Sequence, residues 1–171
     1  MLFVGGPRLW AQTAVSKEYQ IKAVCLFNFA QFVTWPPEAF TSPDQPLRIG
    51  ILGGDPFGTF LDETVKGEKV GDHPLIIQRY GSIEDVQDCQ ILFVSASESG
   101  KLSAILSALK GKSILTVGEK EDFVQDGGMV RFFVEGNKLR LKINPEAAKD
   151  AGLTISSKLL RLAQISEPGK D

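Results

Sequence analysis

The chain has 171 residues, 43% of them hydrophobic, which is enough to bury one sizeable core and too short for two ordinary domains. Lys and Arg number 19 and Asp and Glu 21, giving a formal net charge of −2, and no stretch interleaves basic with aromatic residues. Nucleic acid is therefore not the expected partner.

Residues 1–14 have the character of the end of a secretory signal peptide. A short apolar stretch is followed by small residues, and the chain then turns polar. The charged n-region is missing and Arg8 interrupts the apolar run, so the signal would have to be truncated. We therefore expect 1–14 to be a signal-peptide remnant, 15–167 to form a single domain and 168–171 to be a frayed tail.

The segment from Ser16 to Trp35 predicts an apolar helix. Apolar residues recur at helical spacing but also occupy other sides of the helix: the first set is Ala23, Leu26, Phe27, Ala30 and Val33, and the second is Ile21, Val24, Phe29 and Phe32. Pro36 and Pro37 end the helix, because a proline pushes the residue before it out of helical geometry. Such a helix lies deep in the fold or presents its second face to a partner, for example a second copy in a homodimer.

From residue 47 onward, short apolar runs alternate with helical patterns. The runs that predict strands are 47–52, 75–80, 89–97 and 113–118. The patterns at 57–65 and 102–109 predict amphipathic helices between them. Continuous apolar strands joined through helices favour parallel pairing with both faces covered. The predicted fold class is therefore α/β, with a mostly parallel central sheet flanked by helices on both faces.

The C-terminal part predicts an antiparallel hairpin at the edge of this sheet. Leu139, Leu141 and Ile143 alternate with Lys138, Arg140 and Lys142, and Glu135-Gly136-Asn137 supplies the turn. Asn144 and Pro145 then predict the capped start of a short helix, which Gly152 ends. The apolar spacing within 158–165 predicts a last helix.

No pattern in the sequence is typical of a catalytic site. The loop GGDPFG (53–58) lacks the third glycine of a dinucleotide fingerprint and the Lys-Ser/Thr pair of a phosphate loop, and Asp55 is better explained as a helix N-cap. His73 is the only histidine, and its neighbour Asp72 points away from it on an extended chain, so the two form no triad. No spacing of His, Cys or Asp fits a metal site. We expect a protein that has no cofactor or metal, is not an enzyme and works by binding.

Aromatic residues near predicted loops are the candidates for binding a partner or a ligand. Phe32 and Trp35 lie at the end of the first helix, beside the two prolines. Core packing is the main alternative for Phe32, and for Trp35 and Phe133 packing and binding both stay open. Arg131 and Phe133 share one face of the predicted hairpin, where together they could hold an anionic or aromatic ligand.

The two cysteines, Cys25 and Cys89, belong to no Cys-x-x-Cys motif and to no zinc-like cluster. In an oxidising compartment they could form one disulfide. Alternatively, both are buried thiols that act as small apolar residues, and the apolar helix around Cys25 favours this interpretation.

Five segments, taken in this order, carry a resemblance to a known family: YQIKAVCLFNFAQFVTWP (19–36), LRIGILGGDPFG (47–58), CQILFVS (89–95), ILTVGEKEDFVQDGGMVRF (114–132) and LRLKINPEAAKDAGLTISSKLLRLAQI (139–165). The Phe-Val-x-Trp-Pro end of the first helix and the closing Ile-Asn…Ser-Ser-Lys-Leu-Leu are fairly specific together. From residue 17 onward the chain resembles the YfiR family (DUF4154) of small periplasmic proteins. Cys25 stands where the family often has an aromatic residue, and a second cysteine pair known in some relatives is absent.

The resemblance implies a function that composition alone does not. Members of the family repress a membrane-bound diguanylate cyclase by docking on its periplasmic sensor region, and an outer-membrane lipoprotein can sequester the repressor. The resemblance therefore implies a periplasmic, non-enzymatic regulator that controls cyclic di-GMP and biofilm formation. The alternative is a periplasmic small-molecule-binding module, because a parallel sheet offers a crevice beyond its strand ends.

Overall fold

The computed structural model describes residues 15–166, so the predicted signal remnant 1–14 and the predicted tail 168–171 lie outside the described residues. The helices are α1 (Lys17–Phe32), α2 (Thr59–Val65), α3 (Leu102–Leu109), α4 (Pro145–Asp150) and α5 (Ser157–Arg161). Short 3₁₀ turns lie at Pro37–Ala39, Ile83–Asp85 and Ala96–Lys101. Within this part of the chain, no helix combines the length and the apolarity that a bilayer crossing requires.

The strands form one large sheet and one small sheet. They are β1 (Val33–Thr34), β2 (Leu47–Leu52), β3 (Lys69–Val70), β4 (His73–Tyr80), β5 (Ile91–Val94), β6 (Leu115–Gly118), β7 (Val130–Glu135), β8 (Lys138–Ile143), β9 (Thr154–Ile155) and β10 (Gln164–Ile165). The large sheet has the order β10-β8-β7-β6-β5-β2-β4-β3, and β1 pairs with β9 in the small antiparallel sheet.

The centre of the large sheet is parallel, which confirms the predicted α/β fold class. The strands β4, β2, β5, β6 and β7 lie side by side and pair in parallel. Numbered along the chain, these five strands follow the order 2-1-3-4-5, a common order of doubly wound sheets. The hairpin β7–β8 and the edge strand β3 are antiparallel additions, and β10 pairs in parallel with β8.

The two faces of the large sheet bury separate hydrophobic cores. We name them the α1 face and the α3 face after the helices that cover them. The core on the α1 face includes Leu26 and Phe29 of α1, Leu61 of α2, and strand residues such as Ile49, Ile51, Phe93, Val117, Val130 and Phe132. The core on the α3 face includes Leu102, Ile105 and Leu109 of α3 together with Leu52, Tyr80, Leu92, Val94 and Phe123. Helices therefore flank the sheet on both faces, as the sequence predicted.

Two helix ends differ from the sequence prediction. The helix α1 ends at Phe32 rather than at Trp35, because Val33 and Thr34 leave the helix and pair with β9. The last helix ends at Arg161, and the residues that were predicted to continue it form β10 instead. Leu162, one of the apolar residues in the predicted helix 158–165, is 76% exposed. In both places a pairing with a distant strand overrides the local apolar spacing.

The predicted N-cap of α4 and the predicted hairpin turn are confirmed. The Asn144 side chain accepts a hydrogen bond from the backbone N–H of Ala147, and Pro145 occupies the first turn of α4. Gly136 and Asn137 both have positive φ, 58° and 62°, which is the conformation of a two-residue type I′ turn between antiparallel strands.

The hairpin projects beyond the carboxyl ends of the parallel strands. The last residue of β6, Gly118, pairs with Arg131, whereas β7 continues to Glu135 before it turns. The helix α1 runs in the opposite direction to these strands. Its first turn contacts Glu119, which follows β6, and Trp35 beyond its last turn contacts Gln90, which precedes β5.

Candidate functional site

Arg131 and Phe133 lie together on one face of the β7–β8 hairpin, as the alternation of the strand predicted. Their neighbours Val130 and Phe132 enter the core on the α1 face, so Arg131 and Phe133 point to the α3 face. The guanidinium carbon of Arg131 is 5.2 Å from the centre of the Phe133 ring, within the range of a cation–π interaction. Both side chains are half-buried and keep part of their surface open to solvent.

Three more cations share this face of the hairpin. In the register of the hairpin, Lys142 lies opposite Arg131, Arg140 opposite Phe133, and Lys138 opposite Glu135. Directly opposed residues of antiparallel strands project to the same side. We name the set of Arg131, Phe133, Lys138, Arg140 and Lys142 the cationic face. Sequence reasoning singled out only its first two members, although the alternation of Lys138, Arg140 and Lys142 with apolar residues was the signal for the rest.

Within residues 15–166, no helix packs an apolar core against the cationic face. The core under α3 draws on β2, β4, β5 and the loops around them, and it contains no residue of β7 or β8. Lys138 and Arg140 are exposed, and Lys142 is half-buried. The face is therefore a positively charged, partly aromatic surface that is accessible to a binding partner.

A buried ionic cluster supports the base of the cationic face. Lys22 of α1 is only 3% exposed, and its Nζ lies 3.4 Å from carboxylate oxygens of both Glu18 and Glu119. The Tyr19 hydroxyl donates to the other Glu119 oxygen at 3.1 Å. Burial, together with the negative charge of Glu119, raises the pKa of Tyr19 to about 12. The backbone oxygen of Glu119 in turn accepts a hydrogen bond from Nε of Arg131 at 3.3 Å.

This cluster was missed by sequence reasoning. The available signal was Lys22, a lysine placed among the inward-facing positions of an apolar helix. Its partner Glu119 is remote in sequence and follows a different element, so the pairing depends on the tertiary fold. The cluster binds the side chain of Glu119, and the backbone oxygen of the same residue accepts the hydrogen bond from Arg131.

Trp35 needs a correction, because the structure buries it. Its exposed fraction is 8%, and its indole Nε1 donates to the backbone oxygen of Gln90 at 3.0 Å. A buried indole whose N–H already has a partner stabilises the core and is not an exposed anchor for a partner. Phe32, at the end of α1, is half-buried and packs against the core on the α1 face. These two aromatic residues lie at the amino ends of the strands, away from Arg131 and Phe133.

The outer side of α1 keeps part of its apolar surface in solvent. Ile21 and Val24 are 44% and 43% exposed, whereas Ala23, Leu26 and Phe29 on the opposite side are buried. The sequence left open whether this second apolar side is buried or meets a partner. A homodimer through it stays a prediction.

The glycine loop between β2 and α2 is held by an ion-pair network. Arg79 of β4 donates through Nε to Asp55 at 2.8 Å, and through Nη2 to Asp62 at 2.6 Å and to the backbone oxygen of Gly58 at 2.8 Å. The Arg79 hydrogen bond lowers the pKa of the Asp62 carboxyl. The predicted N-cap role of Asp55 is wrong: α2 begins at Thr59 after Gly58, and the Asp55 side chain accepts from the N–H of Phe57 instead. The loop presents paired carboxylates where a phosphate would need donors.

His73 also has a structural role. Its ring stacks on Phe40 with 3.8 Å between centres, and its Nδ1 lies 2.6 Å from the backbone oxygen of Gln45. No serine or cysteine side chain contacts it in the hydrogen bonds of residues 15–166. Over the same residues, no group of three or more His, Cys, Asp or Glu side chains converges as a metal site would require.

The structure has both thiols free, so the disulfide that the sequence left open is not formed. Cys25 packs against the core on the α1 face, and Cys89 lies in the core on the α3 face. The sheet therefore separates them. Burial raises the pKa of Cys89 to about 12, and also raises the pKa of Cys25.

A groove of about 750 Å³ lies between α3 and α4. The residues that line it include Thr116 of β6 and Met129 just before β7, and they are both polar and apolar. A smaller pocket of about 350 Å³ lies beyond the carboxyl ends of β5 and β6, next to Ser95 and Phe123. Both volumes fall within the range of small-molecule sites.

Comparison with known families identifies the group to which the chain belongs. The family model DUF4154, described as YfiR/HmsC-like, matches residues 19–164, which is most of the chain. No curated protein matches the chain in sequence. The resemblance drawn from the sequence is thus confirmed, and membership supports a general role as a periplasmic regulator rather than as a catalyst. The protein belongs to the YfiR/HmsC-like family.

Proposed function

We propose that this protein is a periplasmic, non-enzymatic regulator that binds the extracytoplasmic sensor region of a membrane diguanylate cyclase through its cationic face. Occupation of the sensor region holds the cyclase inactive, which lowers cyclic di-GMP and biofilm formation. An outer-membrane lipoprotein that bound the same protein would relieve the repression. Family membership supports the regulatory class, and the cationic face supports binding as the means.

The observation that carries this proposal is the pairing of Arg131 with Phe133 on an uncovered sheet face. Arginine and large aromatic residues are enriched among the side chains that dominate binding energy at protein interfaces. Nε of Arg131 donates a hydrogen bond to the backbone oxygen of Glu119, and the guanidinium lies against the Phe133 ring. Such a pre-ordered side chain loses less rotamer freedom when a partner binds.

Protection of the sheet edge is the alternative explanation for these charges. Exposed lysines on an outer strand deter pairing with other chains. Lys138 and Arg140 fit that explanation, because both are exposed on β8. Arg131 does not fit it, because it is half-buried where β7 is paired on both sides. Phe133 does not fit it either, because it is a half-buried aromatic residue and carries no charge.

Binding to the purified sensor region of the cyclase tests the proposal. We expect Arg131→Gln and Phe133→Ala each to weaken binding by about tenfold or more, as for side chains at the centre of an interface. Arg161→Gln and Leu162→Ala are the matched controls, because both residues are exposed on and after α5. The unfolding midpoint of each variant verifies that the fold is intact. Equal affinity of all four variants would contradict the proposed surface.

A second measurement tests the physiological role. Deletion of the gene should raise cyclic di-GMP and biofilm formation, and the wild-type protein should restore both to their original levels. The Arg131→Gln variant, exported to the same compartment, should restore them only in part. Unchanged cyclic di-GMP after deletion, with no binding to the sensor region, would overturn the proposed function.

The groove between α3 and α4 favours a second candidate function, a small-molecule-binding module. Its volume of about 750 Å³ fits a ligand of ordinary size. A ligand that binds only the folded state raises the unfolding temperature. A screen of amino acids and cofactors by thermal shift separates the two functions, because a stabilising ligand without any protein partner favours this module.

A further inference from the structure

We propose that the outer edge of β8 accepts an extended, acidic segment of the protein partner as an added β-strand. The inference rests on the proposed function, because it names the kind of segment that the partner presents. Its test is nevertheless separable, because a peptide can be offered to the edge without the cyclase. Addition of a strand to an exposed sheet edge is a general mode of peptide recognition.

The edge of β8 is only partly occupied. The last strand, β10, pairs with Lys142 and Ile143 alone. Over residues 138–141, β8 pairs with β7 on one side, and within the described chain no strand lies on its other side. Backbone N–H and C=O groups along an open edge are a template for another strand.

The side chains along this open edge define the complementary segment. Lys138 and Arg140 project to the α3 face, whereas Leu139 and Leu141 project to the α1 face. Val134, opposite Leu139, is 54% exposed and extends the apolar side. A strand that alternates carboxylates with apolar side chains would meet cations on one face and leucines on the other.

The charge balance of the hairpin favours an acidic occupant. The side that points to the α3 face carries four cations, Arg131, Lys138, Arg140 and Lys142, and one anion, Glu135, so its net charge is 4 − 1 = +3. No ion pair within 4.0 Å holds Lys138 or Arg140 among the described residues. The same charges argue against a second copy of this edge, because two β8 strands side by side would place cations against cations.

The opposite edge of the sheet differs from the β8 edge. There, β3 pairs with His73 and Pro74, and residues 76–80 of β4 lie beyond it. The cation on this strand, Arg79, is already bound by Asp55 and Asp62. Residues 76–80 of this edge therefore offer no available positive charge to an acidic strand, and this stretch serves as an internal control.

Three capped seven-residue peptides test the inference: alternating Glu and Val, alternating Gln and Val, and alternating Lys and Val. We expect the Glu–Val peptide to bind and to protect the backbone amides of 138–141 from hydrogen exchange. The Gln–Val peptide should bind about tenfold more weakly, because it lacks the cross-strand charge pairs, and the Lys–Val peptide should not bind measurably. Equal binding of all three peptides, protection confined to 76–80, or no binding of the Glu–Val peptide at millimolar concentration would overturn the inference.

Charge reversal supplies the decisive variant. Lys138→Glu with Arg140→Glu should weaken the Glu–Val peptide by about tenfold or more and should create binding to the Lys–Val peptide. A purely structural role of these residues would not reverse the preference. Lys112→Glu with Lys149→Glu, at exposed positions in the loop before β6 and on α4, changes the net charge equally and should leave the preference unchanged. Equal effects of both pairs would overturn the edge assignment.

The same variants separate this inference from the proposed function. If the cyclase sensor region binds the charge-reversed hairpin as well as it binds the wild type, the edge assignment fails and the regulatory function stands. If the protein takes up the Glu–Val peptide but binds no cyclase sensor region, the edge assignment stands and the regulatory function fails.

Discussion

Lys22 is a charged side chain held inside an apolar helix interface. Two carboxylates and two aromatic rings surround it: Nζ lies near Glu18 and Glu119, and 4.4 Å and 5.7 Å from the ring centres of Tyr19 and Phe132. Removing one partner of a buried ion pair is costly mainly because it leaves the other charge uncompensated. Lys22 is more deeply buried than Glu119, so removing the charge of Lys22 and removing the charge of Glu119 should lower the free energy of unfolding by different amounts.

We expect Glu119→Gln to lower the free energy of unfolding by about 2 to 3 kcal/mol, because it leaves the Lys22 ammonium buried with only Glu18 as a partner. Lys22→Met should cost about 1 kcal/mol or less, because the methionine fits the apolar site and the Glu119 carboxylate keeps the Tyr19 hydroxyl. Urea unfolding measures both. The double variant should cost less than the sum of the singles. A larger loss for Lys22→Met than for Glu119→Gln would contradict this account.

At the scale of elements, local patterns predicted what depends on local chemistry. The strands, the capped start of α4 and the Gly136-Asn137 turn follow from hydrophobic period, caps and turn residues. The ends of α1 and α5 were wrong, because β1 pairs with β9 and β10 pairs with β8, and neither pairing leaves a trace in the local sequence.

For the candidate site too, local sequence predicted some features, and contacts with distant residues determined the others. The shared face of Arg131 and Phe133 follows from the period of two in a strand, so it could be predicted. The burial of Trp35 could not, because its hydrogen-bond acceptor, the Gln90 backbone oxygen, lies just before β5, far away in the sequence. The contact of Glu119 with the buried Lys22 could not be predicted either, because the two residues lie far apart in the sequence.

The hairpin turn depends on the positive φ of Gly136. Gly136 has φ of 58°, and an added Cβ would meet no atom within 4 Å, so a substitution there is limited by backbone strain and not by space. We expect Gly136→Val to cost about 1 to 2 kcal/mol, because a β-branched residue is strained at positive φ. Gly136→Asn, the matched control, should cost less, because asparagine tolerates this region. Urea unfolding and amide exchange across β7–β8 measure both, and equal losses would contradict the turn geometry.

At the scale of the whole molecule, the sheet separates two cores with different polar content. The core on the α1 face holds the Lys22 cluster near one end, whereas the core on the α3 face buries Cys89 beside Tyr80. The Cys89 thiol donates to the backbone oxygen of Ile91 at 3.0 Å. Ionisation of a group buried at this depth places an uncompensated charge in the core. The stability of the molecule should therefore depend on pH in the alkaline range.

The direction of this pH dependence follows from the ionisation of the buried Cys89 thiol. Burial raises the pKa of Cys89 from 9.0 to about 12, so between these values the unfolded chain loses a proton that the folded chain keeps. The free energy of unfolding then falls as pH rises, at up to about 1.4 kcal/mol per pH unit for one proton. Well below pH 9 the thiol is protonated in both states and contributes almost no slope. Tyr19 and Tyr80, whose pKa values burial raises to about 12, add to the decline above pH 10.

Urea unfolding between pH 8 and pH 10 isolates the thiol from the tyrosines. Over this interval we expect the wild type to lose about 1.4 kcal/mol more stability than Cys89→Ala, whatever the cost of the alanine cavity at pH 8. Cys25→Ala should keep most of the decline, because Cys25 is only half-buried. Parallel curves for the wild type and Cys89→Ala would show that this thiol ionises as easily in the folded chain as in the unfolded one, and would contradict its place in the core on the α3 face.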